Sequence, residues 1–412
     1  MRGTLVLVHA GIFGDTSGQR ANALSGRWIG GIDEVEMKMD RRIEELENGA
    51  VVYQVTDEPT LKDNIYCERS YCSPDSRWFI YQRTVGPDDP TPRHAMAEYV
   101  ACEFGTWRTR VLDRGASYPE VSRKGTLFHA CPRPDGTRDV VRTDIATGRS
   151  EVVPIDGGVR PLTGMTISPD ERLLAYGVEL GYAPQMFGIE VADLQTGRRR
   201  VVCRDPCICN PHPQFDQCDG RNILVQHNRG CRFSPDGERL SAIGPEGCTL
   251  FLARTDGSGT VPLSVGLPHT ANCTGHEQWI GDTREVLLTV GQAAQEAGTG
   301  GDLLAVQEGG EARIVARGYG FNHVHASVCG SFFCADRRGT GEIVVGSIRT
   351  GKWSVLCNSG IPLPRDEQYG QSAHAHPYLS PDAKWAVYNS CRTGRPEIHV
   401  SSVPSAFLND LT

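Results

Sequence analysis

From Val51 onward, apolar residues come in short runs that alternate with clusters of Gly, Pro, Asp, Ser and Thr. Val51-Val52-Tyr53-Gln54-Val55-Thr56 reads as a strand, and similar runs rich in β-branched and aromatic residues recur to the end of the chain. Four of them follow a Ser-Pro-Asp turn. The turns are Ser73-Pro74-Asp75, Ser168-Pro169-Asp170, Ser234-Pro235-Asp236 and Ser380-Pro381-Asp382. The strands that they introduce start at Arg77, Arg172, Arg239 and Lys384. Proline pre-sets the second turn position and aspartate caps the turn, so a strand can begin directly afterwards. Weaker copies stand at Arg133-Pro134-Asp135-Gly136, Gln217-Cys218-Asp219-Gly220, Gly281-Asp282-Thr283 and Val328-Cys329-Gly330-Ser331. A hairpin signal trails most copies, at Thr147-Gly148, Thr196-Gly197, Asp256-Gly257 and Thr350-Gly351.

Turn, strand, hairpin and strand repeated every ~40–50 residues is the period of a β-propeller blade. The copies at Asp219 and Asp236 lie too close together for separate four-stranded blades, and merging them leaves seven. The pattern predicts an all-β chain: a seven-bladed β-propeller of four-stranded antiparallel blades around a central channel, over residues 50–402. Residues 1–49 form an approach segment, with the charged stretch Glu34 to Glu47 predicted helical, and residues 403–412 a tail. The strand near Val51 is expected to close the ring against Glu397-Ile398-His399-Val400.

Charge and composition narrow the function. A formal net charge of −8 argues against nucleic acid or an anionic membrane as partner. An anionic sugar remains compatible, provided positive charge is gathered where it binds. No apolar run reaches the ~18 residues that span a bilayer. Leu5 to Phe13 follows Arg2 and precedes Ala21-Asn22-Ala23, but His9, Asp15 and Arg20 interrupt this export-like pattern, so cleavage is not expected. The 15 cysteines are odd in number and lack framework spacing, as in a cytoplasmic protein with reduced thiols. Cys203, Cys207 and Cys209 could hold a metal, but no second cysteine pair follows at zinc-site spacing, and they read as structural thiols. A ring with short, protected edges suits a monomer or small homo-oligomer.

The densest chemistry lies in Gln371-Ser372-Ala373-His374-Ala375-His376-Pro377. On an extended segment His374 and His376 project to one side, and Gln371 enters from a bend. Two imidazoles and an amide oxygen can then converge on a metal with positions left open. One such pair is weak evidence, since most His-x-His pairs are ordinary histidines. A second pair, His323 and His325, and the histidine of Gly275-His276-Glu277-Gln278-Trp279 strengthen it. His276, His323 and His374/His376 are spaced by 47 and about 52 residues, so the repeat puts them at equivalent places on successive blades.

These residues resemble the oligogalacturonate lyase family of polysaccharide lyases. The likeness rests on Gly275-His276-Glu277-Gln278-Trp279, on His323 ahead of Gly330, and on Gln371-x-x-His374-x-His376-Pro377 before the last Ser-Pro-Asp turn. Ile65-Tyr66-Cys67-Glu68-Arg69-Ser70-Tyr71 and His212-Pro213-Gln214-Phe215 fall in family order. The resemblance implies a seven-bladed propeller binding a divalent ion, Mn²⁺ above others, through His323, Gln371, His374 and His376, with His276 as catalytic base. His325 stands where the family has a non-ligand polar residue; it is expected beside the ion or the substrate, or as a ligand competing with His323. The family's catalytic arginine position reads Thr249 here. Residues from about Asn228 to Glu246 are extra, and Arg229 or Arg232 is the substitute guanidinium expected.

The chemistry that follows is β-elimination on a uronic-acid oligosaccharide, with the C5 proton removed beside the carboxylate and the C4 oxygen departing. Neutral imidazole and amide ligands leave the ion its full charge. A base with an ordinary pKa near 6.5 suits neutral pH. His212, His227, His325 and Tyr369 are expected to line the substrate cleft, against the plainer alternative of hydrogen-bonded structural roles for the histidines. Glu277 reads as a supporting residue. Two other readings stay open: a non-catalytic propeller of the TolB or WD40 kind that binds sugar or protein, and a lyase for another uronate such as glucuronate-containing oligomers. A glycosidase would need two facing carboxylic acids, and no pair lies near the histidines.

Overall fold

A computed structural model describes residues 41–86, 96–291, 301–318, 320–361 and 367–412. The export-like stretch Leu5 to Phe13, and the part of the expected helix before residue 41, lie outside the described residues.

The strands form antiparallel sheets that follow one another along the chain. Met165–Ile167, Leu173–Tyr182, Gln185–Asp193 and Arg199–Asp205 make one four-stranded meander. Gln214–Phe215, Asn222–Asn228, Cys248–Arg254 and Thr260–Pro262 make the next. Cys273–Trp279, Glu285–Val290, Leu303–Gln307 and Arg313–Ala316 come third, and Phe321–Ala326, Phe332–Arg337, Glu342–Ser347 and Trp353–Asn358 fourth. A seven-stranded sheet precedes them, from Lys62–Asp63 to Ser150–Val153, as two meanders that share the long strand Thr109–Val121. In the last sheet, Tyr378–Leu379, Trp385–Ser390 and Glu397–Ser402 are completed by Val51–Gln54 from the start of the chain, in the register Val52 to Ser401 and Gln54 to His399.

The serine, more than the Pro-Asp pair, defines the turn. Its Oγ accepts the N–H that opens the following strand: Trp78 on Ser73 (2.9 Å), Thr126 on Ser122 (3.1 Å), Leu173 on Ser168 (2.8 Å), Phe332 on Ser327 (3.0 Å) and Trp385 on Ser380 (3.1 Å). Where aspartate is present it takes the serine proton, as Asp75, Asp170 and Asp382 do. This corrects one sequence assignment. Arg133-Pro134-Asp135-Gly136 joins Thr126–Pro132 to Arg138–Asp144 at the opposite end of its sheet. The turn equivalent to the others is Ser122-Arg123-Lys124-Gly125, which keeps the serine and lacks Pro and Asp. Ser234-Pro235-Asp236 closes a small ribbon, Arg232–Phe233 with Arg239–Ser241, which loops out between two strands of one sheet.

Two terminal expectations change. Arg42–Glu45 is a strand paired with Val51–Gln54, because an open sheet edge offers hydrogen bonds that outweigh helix propensity. The expected tail carries a helix, Ser405–Leu411, whose Phe407 and Leu411 pack in one apolar cluster with Val52, Leu379 and Tyr388.

The innermost strands of neighbouring sheets are joined by side chains. Trp279 Nε1 donates to the Gln214 carbonyl (3.0 Å), and Gln214 Nε2 to that of Glu277 (2.6 Å). The Gln278 amide takes the Ala326 N–H at 2.7 Å. These bonds set the strand carrying His276 beside the strand carrying His323. At the Ser-turn end, Arg69, Glu120, Ile167, Gln278, Ala326 and Pro381 line a common cavity, so the inner strands ring one axis.

Candidate metal centre

At the other end of those strands, His323, His374 and His376 bring donor nitrogens within 4.8 Å of one another. His323 is fixed by Asp336, whose carboxylate accepts from the backbone N–H (2.8 Å) and from Nδ1 (3.0 Å). With Nδ1 held, Nε2 is the nitrogen that faces His374 Nδ1, 3.4 Å away. A carboxylate behind the ring is how metal-bound imidazoles are commonly oriented. The His276 ring lies against His323, centroid to centroid 4.3 Å. Tyr66 is central to the group, with its ring 4.6 Å from His376, 6.0 Å from His212 and 6.5 Å from His276.

The backbone bends where these side chains are presented. The ladder registers slip between Cys273 and Glu277 and between Phe321 and Val324, so His276 and His323 both stand on bulges, which re-aim side chains. Gly275 supplies the positive φ of the first, 82°. His374 and His376 do not sit on a strand, which corrects the alternation argument. A 3-10 stretch, Glu367–Ala373, ends just before His374, and His376 has a φ of 44°. That left-handed conformation is rare outside glycine. It is held by Asn64, which donates to the His376 carbonyl (2.7 Å), and by Asn389, which donates to that of His374 (3.0 Å). His212 (φ 42°) and Ile65 (φ 76°) share it nearby, and such strain gathers where function requires it. The His374 N–H bonds the Gln371 carbonyl (3.0 Å), a separation at which 3-10 side chains eclipse. The Gln371 side chain is exposed.

Electrostatics separate the roles. Burial, then the adjacent His323, hold His276 well below the usual imidazole value; Asp336 opposes this, and His212 and Arg338 add to it. His276 is therefore neutral, and it does not keep the ordinary imidazole value that the sequence suggested. Burial also pulls His212 down, but the Glu68 carboxylate 2.6 Å from Nδ1 outweighs it and lifts His212 to about 9. His212 is a cation at neutral pH. Glu277, fully buried, is pushed up to about 8 by burial.

The remaining expected residues lie elsewhere. His325 donates through Nδ1 to the Cys67 carbonyl (3.0 Å), and burial lowers it to about 3. His227 bonds Asp205 at 3.1 Å. Tyr369 donates to the Gly394 carbonyl (3.3 Å). Arg229 is spent on the carbonyls of Gly247 (3.0 Å), Leu267 (2.9 Å) and Glu246. Arg232 is exposed on the ribbon. Sequence reasoning gave no role to Tyr66, Asp336 or Arg338. Arg338 Nε donates to Asn322 Oδ1 (3.0 Å), beside His323. Only Tyr66 carried a signal, in the segment of family resemblance.

Antiparallel sheets set around one axis define the β-propeller class. The β-propeller domain of Cps50 from Myceliophteria thermophila is similar with a TM-score of 0.50 and 12% identity, covering 83% of this chain and 97% of that one. Two oligogalacturonate lyases are similar more fully. One, in complex with manganese, has a TM-score of 0.67 and 17% identity, covering 89% of this chain and 96% of its own. The other, from Vibrio parahaemolyticus, has a TM-score of 0.66 and 15% identity, covering 89% and 97%. At such identities the likeness is one of fold. No protein-family model and no curated protein matches the sequence.

Proposed function

We propose that the protein is a metal-dependent lyase that cleaves uronic-acid oligosaccharides by β-elimination to 4,5-unsaturated products. The convergence of His323, His374 and His376, with His276 packed on the first of them, carries this reading. Similarity of fold to oligogalacturonate lyases supports it. In this reading the sheets are seven blades, with Thr109–Val121 divided between two of them.

The donor set fits a divalent ion such as Mn²⁺: three imidazoles, one of them locked by Asp336, and Gln371 one 3-10 turn from His374. Bound there, the ion would carry the substrate carboxylate and offset the charge that builds on it as the C5 proton leaves. His276 takes that proton. The electron pair of the C5–H bond becomes the C4–C5 double bond, and the C4–O bond breaks with its pair on the departing oxygen. Arg338 supplies the local positive charge that a uronate needs on an acidic protein, while the His212 imidazolium is balanced by Glu68 and serves as a hydrogen-bond donor. Arg338 takes the guanidinium role expected of Arg229 or Arg232.

The 15 cysteines fit a cytoplasmic setting, and in that setting the substrates would be short oligosaccharides. No described helix is long and apolar enough to cross a membrane. The test is ultraviolet absorbance during incubation with oligogalacturonate, glucuronan and rhamnose–glucuronate oligomers, with Mn²⁺ and then with chelator. A rise that chelator abolishes is expected on one sugar class, and His374→Ala should remove it. A flat trace on all three, or full activity in His374→Ala, refutes the reading.

A further inference from the structure

A second cluster of metal-binding side chains lies at the base of the ribbon-bearing excursion, residues 229–247. Asp205, Cys207 and His227 offer donor atoms that all lie within 4.8 Å of one another. The Cys231 sulfur is close to this group, 3.5 Å from the carbonyl of Pro206, the residue before Cys207, and Cys209 follows two residues further on. A thiol, an imidazole and a carboxylate therefore converge, and two further thiols stand beside them.

The backbone is arranged to hold them there. Asp205 Oδ1 accepts the Cys207 N–H (2.6 Å) and is 3.1 Å from His227 Nε2. The Asn228 N–H bonds the Cys207 carbonyl (2.8 Å), and a turn bonds the Cys231 N–H to the Asn228 carbonyl (3.0 Å). Gln185 reaches over from the neighbouring sheet, donating to the Cys231 carbonyl (3.2 Å) and sulfur (3.5 Å). N–H groups aimed at sulfur are what a thiolate ligand requires around it. The sequence pattern is Cys-x-Cys followed by His-x-x-x-Cys. The second half of the pattern is a histidine and one cysteine in place of a second cysteine pair.

We propose that Cys207, Cys209, His227 and Cys231 form a structural zinc site that staples the excursion to its sheet, with Asp205 holding the His227 ring. Three thiolates and one imidazole make a closed, soft donor set that suits Zn²⁺ and excludes Mn²⁺, which prefers oxygen and imidazole ligands. Each thiol that ligates releases its proton to solvent. The site is independent of the histidine cluster and stands whether or not the protein is a lyase.

The test uses the full chain. Protein purified without chelator should carry about one zinc per chain, kept in the His374→Ala/His376→Ala variant and lost in Cys207→Ser/Cys231→Ser. Metal-free protein refilled with Co²⁺ should show a thiolate-to-cobalt charge-transfer band. In the unaltered chain, zinc should slow iodoacetamide labelling of Cys207, Cys209 and Cys231 while the exposed Cys218 and Cys329 react freely. This measurement decides the matter even if the serine variants fail to fold. Equal labelling with and without zinc, absence of the cobalt band, or a disulfide between Cys231 and either neighbour overturns the proposal.

Discussion

At the scale of single residues, orientation is set behind the ligands. Asp336 makes two bonds to His323 and thereby selects which nitrogen faces His374. Asp336→Ala should weaken Mn²⁺ binding by about 10–100-fold, the usual effect of losing such a partner, read by titration of the metal-free chain. Asp336→Asn, which keeps an acceptor oxygen, should lose less. Equal affinity in all three proteins would remove Asp336 from the site. The His212–Glu68 pair makes a prediction about pH. His212 is raised in the folded chain, so its stabilisation is complete below the ordinary imidazole value of about 6.5 and is lost as pH rises through about 9. Urea unfolding across that window should show stability falling, and Glu68→Gln should flatten the fall.

At the scale of elements, the junctions matter more than the strands. Lys62 and Glu397, both almost fully buried, pair at 2.9 Å between the first inner strand and the last strand of the chain. Thr56 (2.6 Å) and Arg395 (2.8 Å) also donate to Glu397. Lys62→Ala leaves a buried carboxylate short of its main partner and should cost ~3–5 kcal/mol by chemical denaturation. A Lys62→Met/Glu397→Leu double variant should recover much of that, since an apolar pair can replace a buried ion pair. The Ser-turns show how far elements were legible. Ser122 performs the same capping as Ser73 and Ser168, yet its Arg-Lys-Gly neighbours hid it. The hydrogen bond needs only the hydroxyl, whereas the recurring sequence pattern is carried by Pro and Asp.

At the scale of the whole molecule, the chain is closed by its own beginning. Val51–Gln54 completes the last sheet, and Asn64 and Asn389 tie the first and last inner segments around His374 and His376. Removing residues 1–56 should therefore lower the melting temperature and weaken metal binding together, as followed by calorimetry with and without Mn²⁺. A truncated chain that binds metal as tightly as the full one would show that closure and site are uncoupled.

The sequence by itself determined the all-β meander, its turns and its closing pair of strands, because period-two hydrophobicity and turn chemistry are local. It also singled out His276, His323, His374 and His376, because a repeat turns equal spacing into nearness. Tertiary structure decided how those rings are aimed. The bulges at His276 and His323 and the left-handed backbone at His376 depend on partners far away in the chain, such as Asn64. It decided which residues stand behind them, as Asp336 does for His323 across one ladder. It also decided that His227 stands with Asp205 and Cys207, not with the histidine cluster. Each of these is a meeting of segments distant in sequence, where no local pattern is under constraint.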